Sequence, residues 1–279
     1  MNSTTQVTDP GLLFRYNRSI PCSTTVAFVE KIEESWIVPM LATIEADAPA
    51  LTSRAEWIQA LDDLLAREKT GSAAADYLAE SATHEVFTAM VAQFALDGLT
   101  EAQNFFPAVA RLPIQAQMPV MRVLIDEFGC GNINQAHSQL YRNLLSELGL
   151  PLDLDSYLEG TSDETYAFLN VFYWLTQRAP HVEYFLGALA YLEASIPTAF
   201  AYYARACERL GIENSQYYTE HMHIDNFHMK EMQLAIREYE KAHGLDPTRV
   251  WVGACLLSEI LSTAFEAAVQ RARALAGTV

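Results

Sequence analysis

Apolar residues recur at intervals of three and four along almost the whole chain, and the alternating Val/Ile/Thr runs that mark half-buried strands are missing. That pattern restricts the chain to helices packed on helices and predicts an all-α fold. The expected helices cover about 25–47, with Pro39 inside, then 53–69, 72–97, 100–111, 114–128, 133–148, 162–178, 181–210, 213–243 and 247–276. Turn chemistry separates them at Gly71, Gly98, Pro113, the Gly129/Gly131 pair, Gly149-Leu150-Pro151, Ala179-Pro180 and Gly244-Leu245-Asp246-Pro247. Short connections make sequential helices antiparallel neighbours, so a single bundle is expected over 25–279, preceded by a loose or surface-draped arm over 1–24. No repeat of solenoid length is present.

Charge narrows the partners. Thirty-five acids against eighteen bases give a net charge of −17, which repels phosphate backbones and anionic lipid and argues against nucleic-acid or membrane binding. Cys22, Cys130, Cys207 and Cys255 are widely spaced and form no CxxC pair, so they are expected as reduced, mostly buried thiols. The first 21 residues lack a basic segment followed by an apolar run, and no stretch has eighteen unbroken apolar residues. A cytoplasmic address is expected on those grounds.

The chemistry concentrates in Glu220-His221-Met222-His223-Ile224-Asp225-Asn226-Phe227-His228. On a helix, Asp225 lies about 40° round from His221, and His228 about 20° to the other side, so the three side chains share one face. Imidazole and carboxylate suit Fe(II), Mn(II) or Zn(II). The two histidines are about 10 Å apart along the axis. That is long for one ion but suited to flanking two ions about 3.5–4 Å apart, with Asp225 between them. His223 falls on nearly the opposite face. Three histidines along a polar edge are also compatible with a plain exposed surface, so the remaining ligands matter.

Glu127 ends one expected helix and His137 opens the next. In one unbroken helix they would stand about 15 Å apart; the Gly129/Gly131 break lets the chain reverse and bring them together. Glu193 is the lone acid in the apolar run Ala188-Leu189-Ala190-Tyr191-Leu192-Glu193-Ala194, where a carboxylate facing a core needs a cation or a metal.

Glu-x9-His, followed by a Glu about thirty residues before His-xxx-Asp-xx-His, resembles the haem-oxygenase-like diiron oxidases and oxygenases. The resemblance covers roughly residues 80–270. It implies a haem-oxygenase-like bundle of about seven core helices plus N-terminal additions, with Glu127, His137, Glu193, His221, Asp225 and His228 as ligands to two Fe(II) ions and O2 as co-substrate. Some members that oxygenate nitrogen carry an extra carboxylate one helix upstream, a place that Glu101 occupies here; the alternative for Glu101 is an N-terminal acid favoured by a helix dipole. The resemblance further implies N-oxygenation, or oxidative C–C cleavage or decarboxylation, of an amino-acid-derived small molecule in natural-product biosynthesis. An external electron donor and a homodimer are compatible with it.

Two other readings stay open on the residues alone: a metal-independent thiaminase-like or cofactorless oxidase-like helical enzyme, and a non-enzymatic metal-binding helical protein. Other metal folds fit less well. A ferritin-like site needs two Glu-xx-His motifs on separate helices and only Glu220/His223 is present, while a zinc hydrolase would carry His-Glu-xx-His, which is absent. The aromatics are expected mainly in the core, with Tyr191 a candidate pocket residue. His84, His181 and His243 are expected to be structural or superficial, and Glu231, one turn after His228, to orient it through a hydrogen bond.

Overall fold

The computed structural model describes residues 9–69 and 72–277. Among these the chain is helical, with no strand: α1 Pro10–Asn17, α2 Ser23–Asp47, α3 Arg54–Glu68, α4 Ala73–Glu80, α5 His84–Gln93, α6 Ala95–Thr100, α7 Phe106–Val109, α8 Ile114–Glu127, α9 His137–Glu147, α10 Asp163–Gln177, α11 Val182–Leu210, α12 Gln216–His243 and α13 Pro247–Ala276. The all-α expectation and most of the expected helix positions hold. The Gly71 turn and residues 1–8 of the expected arm lie outside the described residues.

The described part of the arm is not loose. Asp9 accepts a hydrogen bond from the Leu12 amide and Pro10 starts the helix, which nucleates α1 locally. Leu13 and Phe14 are then buried, with the Phe14 ring 5.7 Å from Tyr166 and 6.2 Å from Tyr173 of α10. Asn170 donates to the Pro10 carbonyl, and Arg178 bonds both Asn17 and buried Glu33 of α2, so the segment is bolted to the bundle through α10.

The expected continuous helices over 72–97 and 100–111 are also broken up. Thr83 caps a fresh start at α5, and the chain breaks again at Phe94 and at Glu101. Gly98, expected as a turn, lies inside α6. A Cβ there would stand 2.4 Å from the Tyr141 ring, so the glycine permits close approach of α6 to α9 rather than ending a helix.

α11 is central, packing most extensively on α12 and α13, with α8 laid along α12 and α10 along α13. By length and apolar composition α13 is the one described helix able to cross a membrane, and much of its apolar stretch is buried in this packing. The buried side chains form two large clusters, one including Leu192 and Met232, the other Tyr203, Tyr217 and Tyr218. Along α11 and α12 the changeover between these clusters falls at 193–202 and 219–231. The bundle therefore has a seam, and the polar cluster sits on it.

Candidate metal centre

Glu127 closes α8, and the chain then turns through three consecutive left-handed residues, Gly129 (φ 63°), Cys130 (φ 51°) and Gly131 (φ 83°). Gly129 is required twice: its φ disfavours a side chain, and a Cβ would lie 2.5 Å from the Ala136 amide nitrogen. The reversal places His137, first residue of α9, with Nδ1 2.8 Å from Glu127 Oε2 and 2.9 Å from His221 Nε2. His221 Nδ1 donates to the Tyr217 carbonyl at 2.7 Å, one turn earlier in α12, which fixes the ring with Nε2 turned inward.

The other end of the stripe gathers around His228. Its Nδ1 lies 3.1 Å from Glu193 Oε2, 3.3 Å from Asp225 Oδ1 and 3.4 Å from Glu127 Oε1. Glu193, on α11, has no helical amide opposite its carbonyl, because Pro197 stands where the donor would be. Glu127, His137, Glu193, His221, Asp225 and His228 are all buried, and the structure brings all six together.

Their atoms fall into two groups of mutually close potential ligands, Glu127/His137/His221 and Glu127/Asp225/His228, each within 4.8 Å. The carboxylate common to both is Glu127. Asp225, expected between the two ions, sits to one side with Glu193 and His228. Helical rotation places Asp225 on the shared face, but the two oxygens of a carboxylate arriving from α8 are what span the gap between the two histidines.

Electrostatics mark the cluster as built for cations. Burial would raise Glu127, but the charge and hydrogen bond of His137, then the charges of His221 and His228, hold it down to about 2. Burial, with the charges of Glu193 and Glu127, pushes Asp225 up to about 8. Burial, then the charge of His137, lowers His221 to about 3. Burial also works against His228, yet its contacts with Asp225 and Glu193 carry it to about 11. Such a set holds protons in the positions that divalent ions take when they bind.

Both oxygens of Asp225, Nε2 of His228 and Oε1 of Glu101 are buried without a hydrogen-bond partner. The 3.3 Å approach of Asp225 to His228 lacks hydrogen-bond geometry. Orphaned buried polar atoms are rare and costly, and four of them around one cluster are atoms that metal ions would satisfy. The residues therefore fit a metal pair.

Glu101 sits at the break after α6 with φ 34°, an uncommon angle for a residue with a side chain. Tyr217 hydrogen-bonds toward its carboxylate, and the charges of Asp97, Glu127 and Asp225 act on it. Glu101 also opens the short helical turn Glu101–Phe105, the N-terminal place that the helix-dipole alternative expects, and its Oε1 is enclosed without a hydrogen-bond partner. A cavity of about 580 Å³ opens beside these groups, lined by Phe94, Phe105, Tyr141, Phe200, Tyr203 and Tyr217 and reaching Arg67 and Lys69 at the end of α3. Tyr191 lines it as expected, with its hydroxyl donating to Glu68.

The sequence reading missed Asp97, which lines the same cavity and which burial, then the Glu127 charge, raises to about 7. Its signal was present: a lone acid in Phe94-Ala95-Leu96-Asp97-Gly98-Leu99, the argument applied to Glu193. Glu231 does not orient His228; it pairs with Arg122 across α8 and α12. The group near His228 Nε2 is Asp126, at 3.5 Å. His223 is exposed and meets Phe227 edge-on, and His84 and His243 are exposed and His181 half-buried, away from the cluster. All four cysteines are free, but Cys22 and Cys130 are exposed, because both lie at helix ends rather than on core faces.

Residues 88–273 match the family of iron-containing redox enzymes. Over 159 residues the chain is 31% identical to nitrosourea synthase of Streptomyces achromogenes subsp. streptozoticus. That stretch is 54% of this chain and 33% of the relative, so the chain spans about a third of that protein's length. Glu101 and the six clustered residues all fall inside the family match.

Proposed function

This chain belongs to the family of iron-containing redox enzymes, and we propose that its buried cluster holds two Fe(II) ions and activates O2 to oxidise a small amino-acid-derived molecule in natural-product biosynthesis. The observation that carries the reading is the sharing of Glu127 between two groups of three potential ligands. One carboxylate common to two such groups is the arrangement of a paired site, and mixed imidazole and carboxylate donors suit ferrous iron. Two ferrous ions supply the electrons with which dioxygen is activated, chemistry that side chains alone do not provide.

The protein's own groups bind, orient and shield. His137 and His221 hold one position and His228, Asp225 and Glu193 the other, with Glu127 reaching both. The hydrogen bond from His221 Nδ1 to the Tyr217 carbonyl keeps Nε2 available. The Arg122–Glu231 pair joins α8 to α12. Phe94, Phe105 and Phe200 give the cavity an apolar wall, and its volume of about 580 Å³ suits a small molecule.

Glu101 is the further ligand in this reading. Its Oε1 is enclosed and unpartnered, and the charges of Glu127 and Asp225 act on it, which supports N-oxygenation over C–C cleavage. The similarity to a nitrosourea synthase supports the same branch.

The test is to load metal-free protein with Fe(II) anaerobically, count bound iron, and admit oxygen with and without candidate amino acids while following visible absorbance and O2 uptake. The expected result is two irons per chain and a transient that His221→Ala and His228→Ala abolish. Activity undiminished by chelator would favour a metal-independent enzyme. Iron binding without substrate-triggered O2 uptake would favour a metal-binding protein.

A further inference from the structure

One carboxylate of the cavity is left over once the cluster is accounted for. Asp97 stands on α6 one turn before Glu101 and lines the cavity with it, yet it belongs to neither group of potential ligands. Among the described residues no cation pairs with it and no hydrogen-bond donor reaches its carboxylate; the neighbour whose charge acts on it is another acid, Glu127. Two of the neighbouring hydroxyls are committed elsewhere, Tyr141 donating to the Val91 carbonyl at 2.6 Å and Tyr217 facing Glu101. A carboxylate so enclosed is costly unless a positive group faces it.

The wall beside Asp97 supplies the rest of a recognition site. Tyr203, Tyr141 and Tyr217 line the same cavity and lie close enough for the charge of Asp97 to act on their hydroxyls. Aromatic rings beside one carboxylate, in a largely apolar cavity, form the surroundings in which organic cations are bound. The cavity lining carries five acids, Glu68, Asp97, Glu101, Glu127 and Glu193, against two bases, Arg67 and Lys69, a balance that favours a cation over an anion.

We propose that Asp97 receives a cationic nitrogen, an ammonium or guanidinium group, of the small organic substrate, holding it among Tyr141, Tyr203 and Tyr217 next to Glu101. This rests on the reading that the cavity is where substrate meets the iron site, and it adds the charge of the substrate's reacting end. It also separates two jobs of neighbouring acids that line one cavity: Glu101, with its enclosed orphan oxygen, is the further metal ligand of that reading, whereas Asp97 takes the organic cation.

The test uses four probes of matched size, n-butylammonium, n-butylguanidinium, neutral n-butylurea and n-pentanoate. Binding is followed by calorimetry on the anaerobic Fe(II)-loaded chain and, separately, on the metal-free chain. The wild-type protein is expected to bind the two cations at least about tenfold more tightly than butylurea, with no binding of pentanoate. Asp97→Asn is expected to bring cations and butylurea to within about twofold, while Asp97→Glu retains part of the preference. Iron count and thermal midpoint, measured alongside, report whether the variants are intact.

Equal binding of butylammonium and butylurea by the wild-type chain overturns the proposal without any variant. So does a folded Asp97→Asn protein that keeps the full cation preference. If no iron binds but the preference for cations persists and depends on Asp97, the iron reading fails and this one stands. Two irons with no cation preference is the reverse outcome.

Discussion

Replacing Glu127 by alanine removes the one carboxylate common to both ligand groups, whereas His221→Ala and His228→Ala each remove a ligand from one group only. The three variants should therefore separate by iron stoichiometry and by the stability that iron confers. A ligand held at about a hundred times its Kd stabilises the folded state by about 2.7 kcal/mol, so two ions contribute about 5 kcal/mol. At about 2–3 °C per kcal/mol for a domain of this size, Fe(II) should raise the wild-type melting temperature by about 10–15 °C. Each histidine variant should keep about half of that rise and about one iron, and Glu127→Ala almost none of either. Scanning each variant anaerobically with and without Fe(II), and titrating bound iron with a ferrous chelator, cancels any effect of the mutation on the metal-free chain. The reasoning is refuted if Glu127→Ala keeps one full iron position, or if His221→Ala alone loses as much as Glu127→Ala.

Three further outcomes follow from packing and charge. Gly98→Ala sets a Cβ 2.4 Å from the Tyr141 ring and should cost about 1–3 kcal/mol by denaturant unfolding, whereas Gly160→Ala, with nothing within 4 Å, should be near neutral; equal effects would discount the α6–α9 contact. Arg178→Met strips buried Glu33 of its cation, which costs about 3–5 kcal/mol at neutral pH. Burial already raises Glu33 and Arg178 opposes that rise, so the variant raises it further. A carboxyl whose folded pKa is raised loses stability as pH climbs from its unfolded value toward the folded one, so the deficit in melting temperature should be smaller at pH 5 than at pH 7.5, and a constant or reversed gap contradicts the assignment. Phe14→Ala should cost about 3–5 kcal/mol and make the chain before α2 the first site of limited proteolysis; unchanged protease resistance would mean that α1 is held by its polar contacts alone.

Several features were legible because they depend on neighbours in the chain. Helical periodicity put His221, Asp225 and His228 on one face, and the structure buries all three. The Gly129/Gly131 pair predicted a reversal joining Glu127 to His137, and the 2.8 Å contact is there. Asp9-Pro10 before Leu12-Leu13-Phe14 carried a readable helix start, although the run was too short to outweigh the expectation of an arm. Gly98 misled because a glycine that ends a helix and one that admits a neighbouring ring look alike in one dimension.

The sequence by itself determined the helical class, the His221/Asp225/His228 stripe of α12 and the turn after α8, since each is set by rotation per residue or by the φ that a glycine permits. Tertiary structure decided which carboxylate lies between the two histidine positions, that Glu231 serves Arg122, and that Asp97 and Glu101 open onto one cavity. Those outcomes depend on how α6, α8, α11 and α12 are turned about their own axes when two hydrophobic clusters close on either side of a polar seam. Such rotations are chosen by side chains far apart in sequence, and no local spacing records them.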